Sequence, residues 1–154
     1  MALTNTEARY GSIAKTFHWL TALLILTAIP SGLIANGMAI TPETIETKAF
    51  LFSIHKTLGI AAFFVALARI IWAFIQPRPG LLNAEKPMES FLAETVHWLL
   101  YASLVIVPLS GWLHHAATTG FAPILWPLGQ SLPFIPKSEF LSGFFSAWHY
   151  LFTK

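Results

Sequence analysis

Four histidines sit at the edge of, or within, apolar runs: His18 in "TFHWLTALLIL", His55 in "SIHKTLGIAAFF", His97 in "TVHWLLYASLVI" and His149 in "SAWHYL". One imidazole at the end of an apolar helix is ordinarily structural, with its polar tip turned to a headgroup or a carbonyl. Repetition on several segments points to a shared ligand. Neutral imidazole binds haem iron, and two helices that offer one each can hold a haem between them. An apolar interior also suits the macrocycle. Two axial histidines leave no open iron position, which suits electron transfer rather than oxygen binding. The chain has no cysteine, so such a haem is held non-covalently, and disulfides and thiolate-held iron–sulfur clusters are excluded.

Other chemistries find no pattern. There is no H-E-x-x-H, no dense histidine–carboxylate cluster for zinc, and no P-loop, G-x-G-x-x-G or nucleophile elbow. His114 and His115 are adjacent, so a helix points them about 100° apart and only one can face a given partner. His114 reads as an interfacial residue at a helix end. His97 and His115 are five helical turns apart and share a face of one helix, with Pro108 between them disturbing the register. Two wirings follow. Either His18 pairs with His97 and His55 with His115, or the last segment supplies the partner and His55 pairs with His149. Periodicity does not choose between them.

The elements that must carry these residues are membrane helices. The 154 residues are 55% hydrophobic and only 10% charged, against about 25% charged in a soluble chain. The mean hydropathy of +0.63 agrees. Three stretches reach the roughly 20 apolar residues that a span requires, at about 14–36, 51–75 and 92–113. Pro30 and Gly32 in the first, and Pro108 and Gly111 in the third, are tolerable kink points. Arg69 in the second is expected to snorkel to its nearer end. Residues 37–50 read as a polar loop, 76–90 as a proline-rich turn, and 114–138, with four prolines among Trp and Phe, as an interfacial segment against membrane lipid. A fourth helix starts at about 139. Arg9, Lys15, Arg69, Arg78 and Lys86 gather at one end and Lys48, Lys56 and Lys137 at the other, which favours a cytoplasmic N-terminus. The cations are scattered, so nucleic-acid binding has no support. The N-terminus does not read as a cleavable signal peptide. One domain, 1–154, accounts for the length.

These residues resemble the bacterial di-haem cytochrome b561 family, inner-membrane proteins that include superoxide oxidase. The matching stretches are "RYGSIAKTFHWLTALLI", "HKTLGIAAFFVALARIIWAF" with "QPRP", "HWLLYASLVIVPLSGWL" and "SAWH", in family order over nearly the whole chain. The resemblance implies an all-α, four-helix transmembrane bundle with two b haems near opposite faces. It implies one ligand from helix one, one from helix two, and two from helix four separated by about fourteen residues. His18, His55 and His149 match the first three positions. The fourth would lie past Lys154, so this chain is expected to be either a piece that stops within helix four, which the uncapped end favours, or a natural variant with one haem. The outer site (His55, His149) is then complete and the inner site short of a ligand. His97 then becomes a neighbour of the inner haem or part of a quinone site.

What the resemblance implies for function is transmembrane electron transfer with quinone as one partner. The other partner is superoxide, making the chain a superoxide:quinone oxidoreductase, or a dehydrogenase that the chain anchors. The outer cations share their loops with Glu43, Glu46 and Glu139, which gives the steering of an anion little support. The rival from another class is a haem-free helical membrane protein with interfacial histidines.

Overall fold

The computed structural model describes residues 2–80, 85–118, 120–127 and 129–153. They form four helices and no strands: α1 (Ser12–Gly37), α2 (Ile45–Ile75), α3 (Pro87–Ala117) and α4 (Glu139–Phe152). The first three are long and apolar enough to cross a membrane. At 1.5 Å per residue, the 14 residues of α4 extend about 21 Å, short of a hydrocarbon core of about 30 Å.

The helices are longer than apolarity alone suggests. Residues 45–50, expected in a loop, form the first turns of α2, and α3 begins at Pro87 rather than near 92 and runs on to Ala117. Apolar runs mark what lipid covers, whereas a helix starts where its backbone can. Proline in the first turn of α3 needs no amide partner, and the Ser138 hydroxyl accepts the Leu141 amide to open α4. The expected turn at 76–90 thus shortens to 76–86, and its residues 81–84 lie outside the described residues.

Successive helices run antiparallel. His55 lies beside Ala28 and Arg69 beside His18; Phe64 meets Trp112 and Phe74 meets Trp98; His114 reaches Ser142 and His149 reaches Ser110. Backbones approach one another only between neighbours in sequence: α1 on α2, α2 on α3, and α3 on α4. The seam of α1 is small, with Thr21, Ala28 and Ala35 at a seven-residue step plus Ser31 buried on its face. Ser53, Ile60, Ala62 and Ala66 are buried on α2. Small residues let membrane helices approach closely, where packing rather than water expulsion drives association. Large apolar side chains instead point outward, among them Leu26, Ile71 and Leu99, as lipid-facing surface does.

The connection from α3 to α4 folds back over the ends of α2 and α3. Lys56 Nζ donates to the carbonyls of Phe121 (2.7 Å) and Ala122 (2.8 Å). The Leu125 amide donates to the Thr57 hydroxyl, and Trp112 Nε1 to the Gly129 carbonyl. Ala122 and Ile124 of the connection are themselves buried. At the other end of the molecule the N-terminal segment clasps the end of α2, through Asn5 to Gln76 and Pro77 and through the Gly80 amide to the Glu7 carbonyl. Gly11 is required there, because a Cβ would collide with the backbone of Leu3 and Thr4.

Candidate functional site

His55 projects from α2 about three turns past its start, and its Nδ1 lies 2.8 Å from the Ala28 carbonyl of α1. A carbonyl only accepts, so Nδ1 carries the proton and Nε2 holds the lone pair. His149 projects from α4 with the same chemistry, its Nδ1 lying 3.0 Å from the Val107 carbonyl and 3.1 Å from the Ser110 hydroxyl of α3. Neither Nε2 is hydrogen-bonded among the described residues. The two rings face each other with centroids 6.0 Å apart and planes at 75°. α2 and α4 therefore meet through these imidazoles and not through their backbones.

This pair can be tested against a metal. Two imidazoles bound on opposite sides of one ion, each at about 2 Å, have ring centres about 6 Å apart. Nδ1–H donated to a carbonyl is the arrangement that orients a metal-bound histidine and raises its basicity. Among the described residues no group of three or more histidines or carboxylates converges on one point. A pair alone suits an iron whose other four positions are filled by a porphyrin, and the residues present fit a haem.

His18 is placed differently. It lines a cavity of about 310 Å³ at the opposite end of the helices, with Lys15, Trp19, Arg69, Trp72, His97 and Tyr101. Arg69 Nη2 lies 3.5 Å from His18 Nδ1, and the guanidinium sits over the Tyr101 ring at 5.4 Å. Arg69 thus turns inward instead of only snorkelling. Because Arg donates, the Nδ1 of a neutral His18 accepts, which leaves its proton on Nε2. Trp72 Nε1 is buried with no hydrogen-bond partner among the described residues. His97 bonds back to its own helix, Nδ1 to the Ala93 carbonyl at 2.8 Å.

The remaining two histidines hold structure. His114 Nδ1 donates to the Ser142 carbonyl at 2.9 Å, fixing the start of α4 on α3. His115 is 2% exposed, and its Nε2 lies 3.3 Å from Gln130 Oε1, so it faces the folded-back connection and not His55. Residues missed by sequence reasoning are Ser31, Gly32, Ser110 and Gly111, which touch the His55 and His149 rings or the carbonyls that those rings use. The available signal was a proline followed within three residues by Ser-Gly, present in both the first and third apolar stretches.

Comparisons with known proteins identify the family. The family model described as prokaryotic cytochrome b561 matches residues 9–154. The chain is 33% identical over 113 residues to cytochrome b561 homolog 2 of Escherichia coli (strain K12), covering 73% of this chain and 58% of that protein. It is 28% identical over 103 residues to the probable superoxide oxidase CybB of Yersinia pestis, covering 67% of this chain and 56% of that one. The match thus spans less than two thirds of the length of these curated relatives. Three apolar helices, facing imidazoles and a family match over almost the whole chain converge: this is a bacterial membrane protein that belongs to the prokaryotic cytochrome b561 family, whose members carry electrons through membranes on b-type haem.

Proposed function

We propose that the chain carries electrons across the membrane, that His55 on α2 and His149 on α4 are the residues that would hold a b haem, and that electrons are exchanged with a membrane quinone at the His18 end. The observation that carries this is the ring pair at 6.0 Å, with both Nδ1 atoms committed to carbonyls of neighbouring helices. When bound, a bis-imidazole haem supplies a one-electron couple with no position open to oxygen. The chain's own part is to hold two imidazoles in the binding tautomer before any iron arrives, and to surround them with apolar helix.

At the other end, His18 is a candidate ligand of a second haem. In the same cavity Arg69 and Trp72 Nε1 are the donors that a quinone's carbonyl oxygens would meet, and His97, whose Nδ1 proton goes to Ala93, leaves Nε2 to accept from a quinol hydroxyl. Five of the eight cations compared lie at this end (Arg9, Lys15, Arg69, Arg78 and Lys86), which supports a cytoplasmic N-terminus. Similarity to a probable superoxide oxidase supports superoxide as the electron donor at the His55 end. Lys48 and Lys56 there are already held on backbone carbonyls, so anion steering has Lys137 as its exposed cation.

The test is the haem content of the chain and its variants in detergent, by reduced-minus-oxidised absorption and pyridine extraction. His55→Ala and His149→Ala should each remove the same haem, while His97→Ala and His115→Ala keep it. Retention of that haem in either of the first two variants overturns the assignment. Superoxide generated in solution should reduce the haem of the parent chain and leave His55→Ala without a response.

A further inference from the structure

The two imidazoles are seated by the same local device, built twice. In α1 the Ala28 carbonyl accepts from His55 Nδ1 at 2.8 Å and from the Ser31 hydroxyl at 2.8 Å. In α3 the Val107 carbonyl accepts from His149 Nδ1 at 3.0 Å and from the Ser110 hydroxyl at 2.7 Å. Each serine is three residues after its carbonyl and each is followed by a glycine, Gly32 or Gly111, so carbonyl, serine and glycine share one helical face. A proline stands between carbonyl and serine in both helices, Pro30 and Pro108. Both serines are buried, Ser31 at 7% and Ser110 at 2% exposure.

The glycines are open for the rings. A Cβ at Gly32 would lie 2.5 Å from His55 Nδ1 and 2.8 Å from its Cε1, closer than Cβ atoms approach their neighbours, so the ring would have to move. A Cβ at Gly111 would lie 3.1 Å from His149 Cε1 and 3.2 Å from Nδ1, so that ring would have to give by a few tenths of an ångström. Gly59, on α2, has open space where a Cβ would go.

We propose that Ser31–Gly32 and Ser110–Gly111 are positioning residues: two equivalent notches that receive the imidazoles of His55 and His149 and fix the rotation of each ring, holding the two planes near perpendicular. This rests on the haem assignment above. The notches act through the imidazoles and do not themselves reach the iron. A ring tied at Nδ1 to a helix carbonyl cannot spin about its Nε2 direction, and because the two carbonyls belong to different helices the two rings are set independently. The 75° between them is the result.

Ligand-plane rotation has a signature of its own. In the ferric low-spin state, near-perpendicular imidazoles give a highly anisotropic electron paramagnetic resonance signal dominated by one large g value, whereas parallel rings give a three-line rhombic signal. The parent chain should show the anisotropic form. Gly111→Ala should keep the haem but lower the largest g value and shift the midpoint potential, and Gly32→Ala should lose most of the haem. Ser110→Ala should also move the signal, and Gly59→Ala should leave content and signal as in the parent. If Gly32→Ala does not accumulate in membranes, Gly111→Ala and Ser110→Ala decide. A parent chain with the rhombic signal, or glycine variants with parental haem and g values, overturns the notches alone. A parent chain without haem, or one whose haem survives His55→Ala, overturns the underlying assignment instead.

Discussion

At His55 and His149 the nitrogen bound to protein is Nδ1, at His115 it is Nε2, and at His18 it is an Nδ1 that accepts from Arg69. The first two rings therefore keep a lone pair on Nε2, and the last two carry a proton there. This difference was beyond the reach of sequence. Periodicity placed His97 and His115 on one face of a helix but left His55 free to pair with either His115 or His149, because pairing between helices depends on which carbonyl each ring finds. Lys56, next in sequence to His55, serves the fold rather than the iron: its ammonium spans two carbonyls of the connection. Lys56→Met leaves both without that donor, at a cost of about 0.5–1.5 kcal/mol for the part-buried Ala122 carbonyl and less for the exposed Phe121 carbonyl. Amide hydrogen exchange in residues 120–127 should quicken in lipid nanodiscs while the haem is kept; unchanged exchange would show that Thr57 and Trp112 hold the connection alone.

Among the elements, the apolar runs located α1, α2 and α3 and missed their ends, since polar first turns such as "IETKAF" are helical without being apolar. The small seam of α1 was hidden for a related reason. Thr21, Ala28 and Ala35 read as ordinary members of an apolar run, and only contact with α2 distinguishes them from Leu26, which faces outward. Ala35 and Ala66 have no exposed surface. Ala35→Leu should push α1 from α2 and destabilise the bundle by about 1–3 kcal/mol, read as a lower midpoint of thermal haem loss. Leu26→Ala, on the outward face, should move that midpoint far less.

For the molecule as a whole, α4 is anchored to α3 through His114 and Ser142, and the imidazole pair links it to α2, whose backbone it does not approach among the described residues. Anything that bridges the two rings therefore adds a tie between α2 and α4 to the α2–α3 packing that already joins the two pairs of helices. Haem should protect α4 from added protease in detergent, with cleavage between 120 and 152 rising several-fold when haem is withheld during expression. Equal cleavage with and without haem would mean that α3 holds α4 unaided. The two notches also bear on how such a protein is made. Each hairpin, α1 with α2 and α3 with α4, carries both its histidine and the carbonyl, serine and glycine that seat it, so neither needs the other to prepare its half of the site. As the chain leaves the ribosome, the first hairpin can finish its half before the second has been translated, and the cofactor is left to close a joint whose two faces are already cut.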